Sequence, residues 1–327
     1  MRPLPNVTPI SNTTSLARLL DITVSELLYL SNNINSFWCP GKKLPKKDGG
    51  LRQTHNAKPR LKVVHEKIKN KILKKAYYPL YMYGGIADIE NPRGCRQHAS
   101  IHCNKATLIS EDIESFFPNC DYQNIRSIWQ GFFCMTPEIS DILTKLTTYK
   151  GMLPQGWKTS GYLAHLVFYD VEPQLVEYLN NHQVSYSRYI DDITISSSRL
   201  LTDKQRTDFI SKIYSMLFSK GHSPNRAKQK IFSPSVNGKG ETVTGLTVNS
   251  RKPTINKAQR KELRAAIHKL SQRFSSEKNT LFYYKNWLSI KSKIGQIKFS
   301  HSSQWKQLSK EIDSIKPTFK MKKKSKP

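Results

Sequence analysis

A chain of 327 residues with 53 Lys and Arg against 24 Asp and Glu carries a formal net charge of +29, which favours polyanions, nucleic acid first and an anionic membrane surface second. Apolar residues make up 37%, below the ~45–50% of an average domain, yet 13 Phe, 15 Tyr and 5 Trp suffice for a core and exclude disorder of the whole chain. No apolar run approaches the ~18 residues of a membrane span, the N-terminal segment lacks a secretory apolar stretch, and five cysteines without a Cys-x-x-Cys pair suit reduced thiols in the cytoplasm.

Residues 1–14, rich in Pro, Asn and Thr, read as an irregular lead-in. Thr23-Val-Ser-Glu26 has the form of a capping box opening a short helix. The segment 40–50 is basic and dense in Pro and Gly, so a loop is expected there. From Leu61 to Tyr78, apolar residues at 61, 64, 68, 72 and 73 recur at helical spacing, with Lys on the other face. A strand is predicted over Thr107–Ile113, mostly helix over 121–148, and a second long helix from Leu163 to Leu179. Val184 to Ser196 alternates β-formers around an acidic pair and reads as a hairpin. A β-like segment at 242–249 precedes helices at 256–274, 281–298 and 303–314, and the basic residues from Lys320 onward read as a disordered tail.

The few carboxylates carry the chemistry. Asp191 and Asp192 sit at the tight turn of the predicted hairpin, flanked by Ile190, Ile193 and Ile195, and Asp112 ends another strand. An exposed pair would be an ordinary turn. In so basic a body, the three suggest a divalent cation site, because Mg²⁺ takes a few carboxylate oxygens and completes its shell with water and substrate phosphates. Two such ions can activate a 3′-hydroxyl and stabilise departing pyrophosphate.

Cys95, His98, His102 and Cys103 fall within nine residues. Adjacent His102 and Cys103 point to different faces, which argues against one tetrahedral metal site. His98 and His102 are expected instead to bond locally or to contact RNA.

Tyr189-Ile-Asp-Asp192 resembles the Tyr-x-Asp-Asp motif of reverse transcriptases, and Asp112-Ile-Glu-Ser-Phe-Phe-Pro118 and Leu153-Pro-Gln-Gly156 resemble two further motifs of that family, in the family's order. Val243-Thr-Gly245 is similar to an element of bacterial retron reverse transcriptases. The likeness covers roughly residues 50 to 315. The chain departs from it at Trp157-Lys-Thr-Ser-Gly161, where the family has a Pro and a Ser-Pro pair, and at His98, where retron enzymes carry Asn.

The resemblance implies an α+β right-hand polymerase fold: an N-terminal extension over 1–50, fingers and palm over 51–250, a basic helical thumb over 251–316 and a tail over 317–327. It implies an RNA-directed DNA polymerase using two Mg²⁺ ions, with Mn²⁺ as a substitute. Asp112, Asp191 and Asp192 would hold the metals with the Ile113 carbonyl, and Lys228 would protonate pyrophosphate. Arg52 and Lys62 would hold the triphosphate, Phe117 would exclude a 2′-hydroxyl by clash, and Gln155 and Gly156 would line the nascent base pair. Val243, Thr244 and Gly245, together with Lys261, Arg264 and Lys269 opposite the apolar stripe of Leu263, Ile267, Leu270 and Phe274, would bind a structured non-coding RNA and its cDNA. A branched RNA–DNA product, an effector protein and a role in phage defence complete the expectation. Open beside it stand a defence reverse transcriptase with other priming or untemplated synthesis, a catalytically silent maturase-like RNA-binding protein, and membrane-surface binding through the tail.

Overall fold

The computed structural model describes residues 1–45, 49–232 and 241–319, and the chain divides into two compact units between Gly238 and Lys239. The division precedes the expected 250/251 boundary, so the Val243–Gly245 element belongs with the C-terminal helices. Most of the expected tail, from residue 320, lies outside the described residues.

The first unit begins with α1 (Thr13–Leu19), capped by Asn12, and α2 (Val24–Asn32), capped by the Thr23 side chain on the Glu26 amide. The cap is where the sequence predicts it. Leu16, Leu20, Leu27 and Leu30 are fully buried in the main core. These N-terminal helices pack into the core of the first unit.

The predicted loop over 40–50 is largely strand: β1 (Trp38–Pro45) pairs antiparallel with β2 (Leu51–Ala57), with a register slip between Pro40 and Lys43. The breakers are tolerated because an isolated two-stranded ribbon leaves every strand an edge, where a proline without an amide proton costs little pairing. Next, α3 (Pro59–Lys71) buries Leu61, Val64 and Ile68, as its spacing predicts.

The central sheet has five strands in the order β3 (Met82–Tyr83), β5 (Val184–Tyr189), β6 (Asp192–Ser197), β4 (Thr107–Asp112) and β7 (Lys230–Phe232). The remaining α-helices of this unit are α4 (Cys95–Ile101), α5 (Phe116–Asn119), α6 (Tyr122–Ser127), α7 (Pro137–Thr147), α8 (Ser160–Leu166), α9 (Glu172–Asn181) and α10 (Asp203–Phe218), of which α4 and α9 pack against β5. The long helix expected over 163–179 is broken after Leu166. Pro173 is the cause: without an amide proton it belongs in a first helical turn, and it opens α9. Ile109, Ile195, Phe168 and Phe209 are at most 1% exposed, and truncating any of them to Ala would cost roughly 2–5 kcal/mol.

The second unit holds a short hairpin, β8 (Thr242–Val243) and β9 (Leu246–Thr247), then α11 (Lys257–Gln272), α12 (Phe274–Glu277), α13 (Leu281–Ile297) and α14 (Ser302–Ser314). Leu263, Ile267 and Leu270 of the predicted stripe pack with Tyr283, Trp287, Ile294 and Ile312 in a separate core. Polar atoms entering that core are satisfied: Trp287 Nε1 donates to the Ile312 carbonyl and Tyr283 OH to that of Ile315, each at 2.8 Å.

Candidate active site

Strand pairing brings the acidic residues together. In β4 and β6, Asp112 lies opposite Asp192, and the Ile113 amide donates to the Asp191 carbonyl at 2.9 Å. The hairpin β5–β6 turns through Ile190 and Asp191, with Ile190 at φ +60°. A β-branched residue is costly in that left-handed region. The turn is held by the Ile190 amide on Tyr83 O (3.1 Å) and by Arg188 Nη1 on Ile190 O (3.0 Å).

Lys228 Nζ donates to both Asp112 carboxylate oxygens, at 3.1 and 2.9 Å. Burial foremost, with the Asp112 charge, pushes the Asp191 carboxyl up, while Arg52 and Lys228 act in the opposite sense. Among the described residues no three His, Cys, Asp or Glu side chains already form a metal cage. The donors nevertheless suit a hard cation. One or two carboxylates with open positions for water and phosphate are what Mg²⁺ uses, and Asp112 already faces a positive group.

Phe117, Gln155, Gly156, Asp191 and Asp192 line one cleft of about 370 Å³, together with Trp157, Tyr189 and Ile190. Phe116 is 2% exposed and stacks on Phe168, so it is core. The Leu153–Gly156 loop is tied to the β1–β2 hairpin, since the His55 amide donates to Gln155 O at 2.8 Å. At Gly156 (φ +113°) a Cβ would lie 2.7 Å from His55 O, so only glycine permits this approach. Trp38 fixes the hairpin from behind, donating to His55 Nδ1 at 2.9 Å and stacking on Tyr149 at 5.0 Å.

Arg52 stands on that hairpin, and its charge reaches Asp191. Lys62 does not line this cleft. It borders a separate groove of about 670 Å³ with Lys58, Lys67 and Lys158. Trp157 lies against His65 with ring centroids 4.6 Å apart, and Lys158 pairs with Glu66, so the departing segment joins α3 to the cleft.

For His98 and His102 the structure supports the local contacts and not the RNA contacts among the two expectations. Both are 0% exposed, which leaves no surface for RNA. His102 bonds Ser196 and Ser187 at 2.7 and 2.6 Å, and His98 packs on Tyr83 and Tyr189. Burial pushes the His98 ring down to about 3, so both rings are neutral core groups. Their i, i+4 spacing marks one helix face without saying which side it meets.

In the second unit, Val243 is likewise buried, Thr244 and Gly245 form the β8–β9 turn with positive φ, and Lys261, Arg264 and Lys269 are exposed on α11. The sequence reading missed the buried pair Arg188–Glu172. A charged residue at an inward position of an alternating strand was the available signal.

Residues 44–242 match the family model described as reverse transcriptase (RNA-dependent DNA polymerase). The retron Se72 reverse transcriptase of Salmonella heidelberg is 29% identical over 97% of this chain and 83% of its own length. The retron Ec48 reverse transcriptase of Escherichia coli is 26% identical over 94% of this chain and 77% of its own. A truncated apo telomerase from Candida tropicalis aligns over 72% of this chain and 61% of that one, at 11% identity and a TM-score of 0.42.

Proposed function

The chain belongs to the reverse transcriptase family, and on that premise we propose that it copies part of a dedicated structured RNA into cDNA by two-metal nucleotidyl transfer, in anti-phage defence. Its activity is that of an RNA-directed DNA polymerase, on a right-hand polymerase fold. No described helix is long and apolar enough to cross a membrane.

One observation carries the reading. Asp191 and Asp192 share a cleft with Phe117, Gln155 and Gly156, and Asp112 is registered opposite Asp192. Asp112, Asp191 and Asp192, with the Ile113 carbonyl, would hold the divalent ions. Bound there, these would activate the primer 3′-hydroxyl and stabilise the leaving pyrophosphate. Arg52, whose charge is felt at Asp191, supplies positive charge for a triphosphate. Lys228, whose side chain is 56% exposed and paired with Asp112, would give a proton to pyrophosphate. Phe117 presents a bulky ring where a 2′-hydroxyl would clash. Lys62 borders the other groove rather than the cleft of Asp191 and Asp192, which speaks against a hold on the triphosphate. Lys261, Arg264 and Lys269 supply affinity for an RNA backbone without reading its sequence. The branched RNA–DNA product, the effector protein and the defence role rest on likeness to the retron enzymes.

The test is to sequence the nucleic acid that co-purifies with the wild type and with Asp191→Asn/Asp192→Asn. A discrete structured RNA bearing cDNA in the wild type, and bare RNA in the variant, supports the reading. Identical RNA without DNA in both would favour a silent RNA-binding protein. Untemplated DNA in the wild type alone would keep the catalytic residues and discard the retron-like template.

A further inference from the structure

The turn that carries Asp191 is strained. Hairpin turns that need positive φ ordinarily use Gly, Asn or Asp, but this one places Ile190 there, at φ +60°. Such a conformation persists only where its surroundings over-determine it. Two of the bonds around the turn run between main-chain groups, Ile190 N to Tyr83 O and Ile113 N to Asp191 O. A third comes from a side chain, Arg188 Nη1 to Ile190 O at 3.0 Å.

Arg188 is completely buried, and so is its partner Glu172. Nε and Nη2 donate to the two carboxylate oxygens at 2.6 and 2.7 Å, and Nη2 also donates to His165 O at 3.0 Å. Tyr186 OH fixes the same carboxylate at 2.7 Å, and the Phe168 ring lies 5.3 Å from the guanidinium carbon. With two edges of the planar fork engaged, the remaining one is aimed at the turn. A lysine has no such fork: a point-like ammonium satisfies Glu172 or Ile190 O, but not both in this geometry.

Stability alone is a weak account of the pair. Replacing a buried ion pair by apolar residues of similar volume is often neutral or stabilising. What apolar residues cannot supply is the bond to Ile190 O, next to the carboxylate whose position matters most. We propose that Arg188 is a positioning residue for Asp191, and that Glu172 serves it by orienting the guanidinium toward the turn. The proposal rests on the polymerase reading of Asp191 given above.

The experiment compares the full-length wild type with Arg188→Lys, with the double variant Arg188→Met/Glu172→Leu, and with Tyr186→Phe. Readouts are DNA-primer extension on a homopolymeric RNA template, Mn²⁺ binding to the nucleic-acid-free protein by electron paramagnetic resonance, and thermal unfolding. Both Arg188 variants are expected to unfold within about 5 °C of the wild type. Their kcat should fall roughly 10- to 100-fold, the effect of a misplacement of about 1 Å, while KM for dNTP stays within about twofold. Their Mn²⁺ affinity should weaken in parallel. Tyr186→Phe leaves the fork on Glu172 while removing one bond to that carboxylate, and should lower kcat less than either Arg188 variant. Wild-type kcat and Mn²⁺ affinity in either folded Arg188 variant would overturn the proposal. Failure of both to fold would overturn it too, by assigning the pair to folding. If the wild type extends no primer, the polymerase reading fails instead, and the Mn²⁺ affinities still decide the positioning.

Discussion

The main-chain amide of His55 donates to the carbonyl of Gln155 at 2.8 Å, which fastens the β1–β2 hairpin to the loop lining the cleft. Arg52 on the hairpin and Gln155 on the loop are thus parts of one assembly, and Gly156 is what lets the two backbones approach.

Gly156→Ala should break that assembly. The new Cβ meets His55 O at 2.7 Å from a backbone already at φ +113°, so strain and clash together cost about 1–3 kcal/mol. The expected outcome is a raised KM for dNTP and a lower unfolding temperature, read by steady-state extension and calorimetry.

Phe117→Ala should relax sugar selection. The ring lines the same cleft as Asp191 and Asp192, and rejection by clash disappears with it. The preference for dNTP over NTP is expected to fall at least about tenfold, equivalent to ~1.4 kcal/mol, in single-nucleotide incorporation assays.

Lys228→Ala should slow chemistry without unfolding the protein. The Lys228 side chain is more than half exposed, and an exposed ion pair is worth only about 0–1 kcal/mol to stability. Loss of a general acid costs roughly 10²-fold or more. A drop of that size in the single-turnover rate is expected, with primer–template affinity unchanged.

Acid should destabilise the first unit. Burial pushes His65 and His222 down to about 4, and His98 and His165 down to about 3, from an ordinary 6.5. In that window the unfolded chain binds more protons than the folded one, so stability is full above about pH 6.5 and falls as pH drops toward 4. Every tenfold loss of proton affinity on folding is worth ~1.4 kcal/mol. Unfolding temperature measured from pH 7.5 to 4.5 should fall steeply. His222→Leu should lessen the slope by up to about one proton, since that ring sits among Phe116 and Phe168 with no hydrogen-bond partner on either nitrogen among the described residues.

Features set by neighbours in the chain were legible in advance. The Thr23 cap, the α3 stripe, the β5–β6 hairpin and the helices of the second unit all stand where periodicity and capping place them. Features set by what lies across space were not. The β1–β2 ribbon looked like a loop because its stability comes from cross-strand pairing, which composition does not encode. His98 and His102 looked available to RNA because a histidine on one helix face reads the same whether that face meets solvent or Ser187 and Ser196.

Residue order was enough to place the chain in its family, because Asp112-Ile-Glu-Ser-Phe-Phe-Pro118, Leu153-Pro-Gln-Gly156 and Tyr189-Ile-Asp-Asp192 stand in the family's order, and it pointed to the carboxylates, the aromatic ring and the loop proposed for the site. How they are held was a matter for the packed chain. It set Asp112 opposite Asp192, bound Gln155 to His55, and buried Arg188 against Glu172 behind the turn. Those relations join residues far apart in the chain, and their energies exist only once packing has removed water from between them.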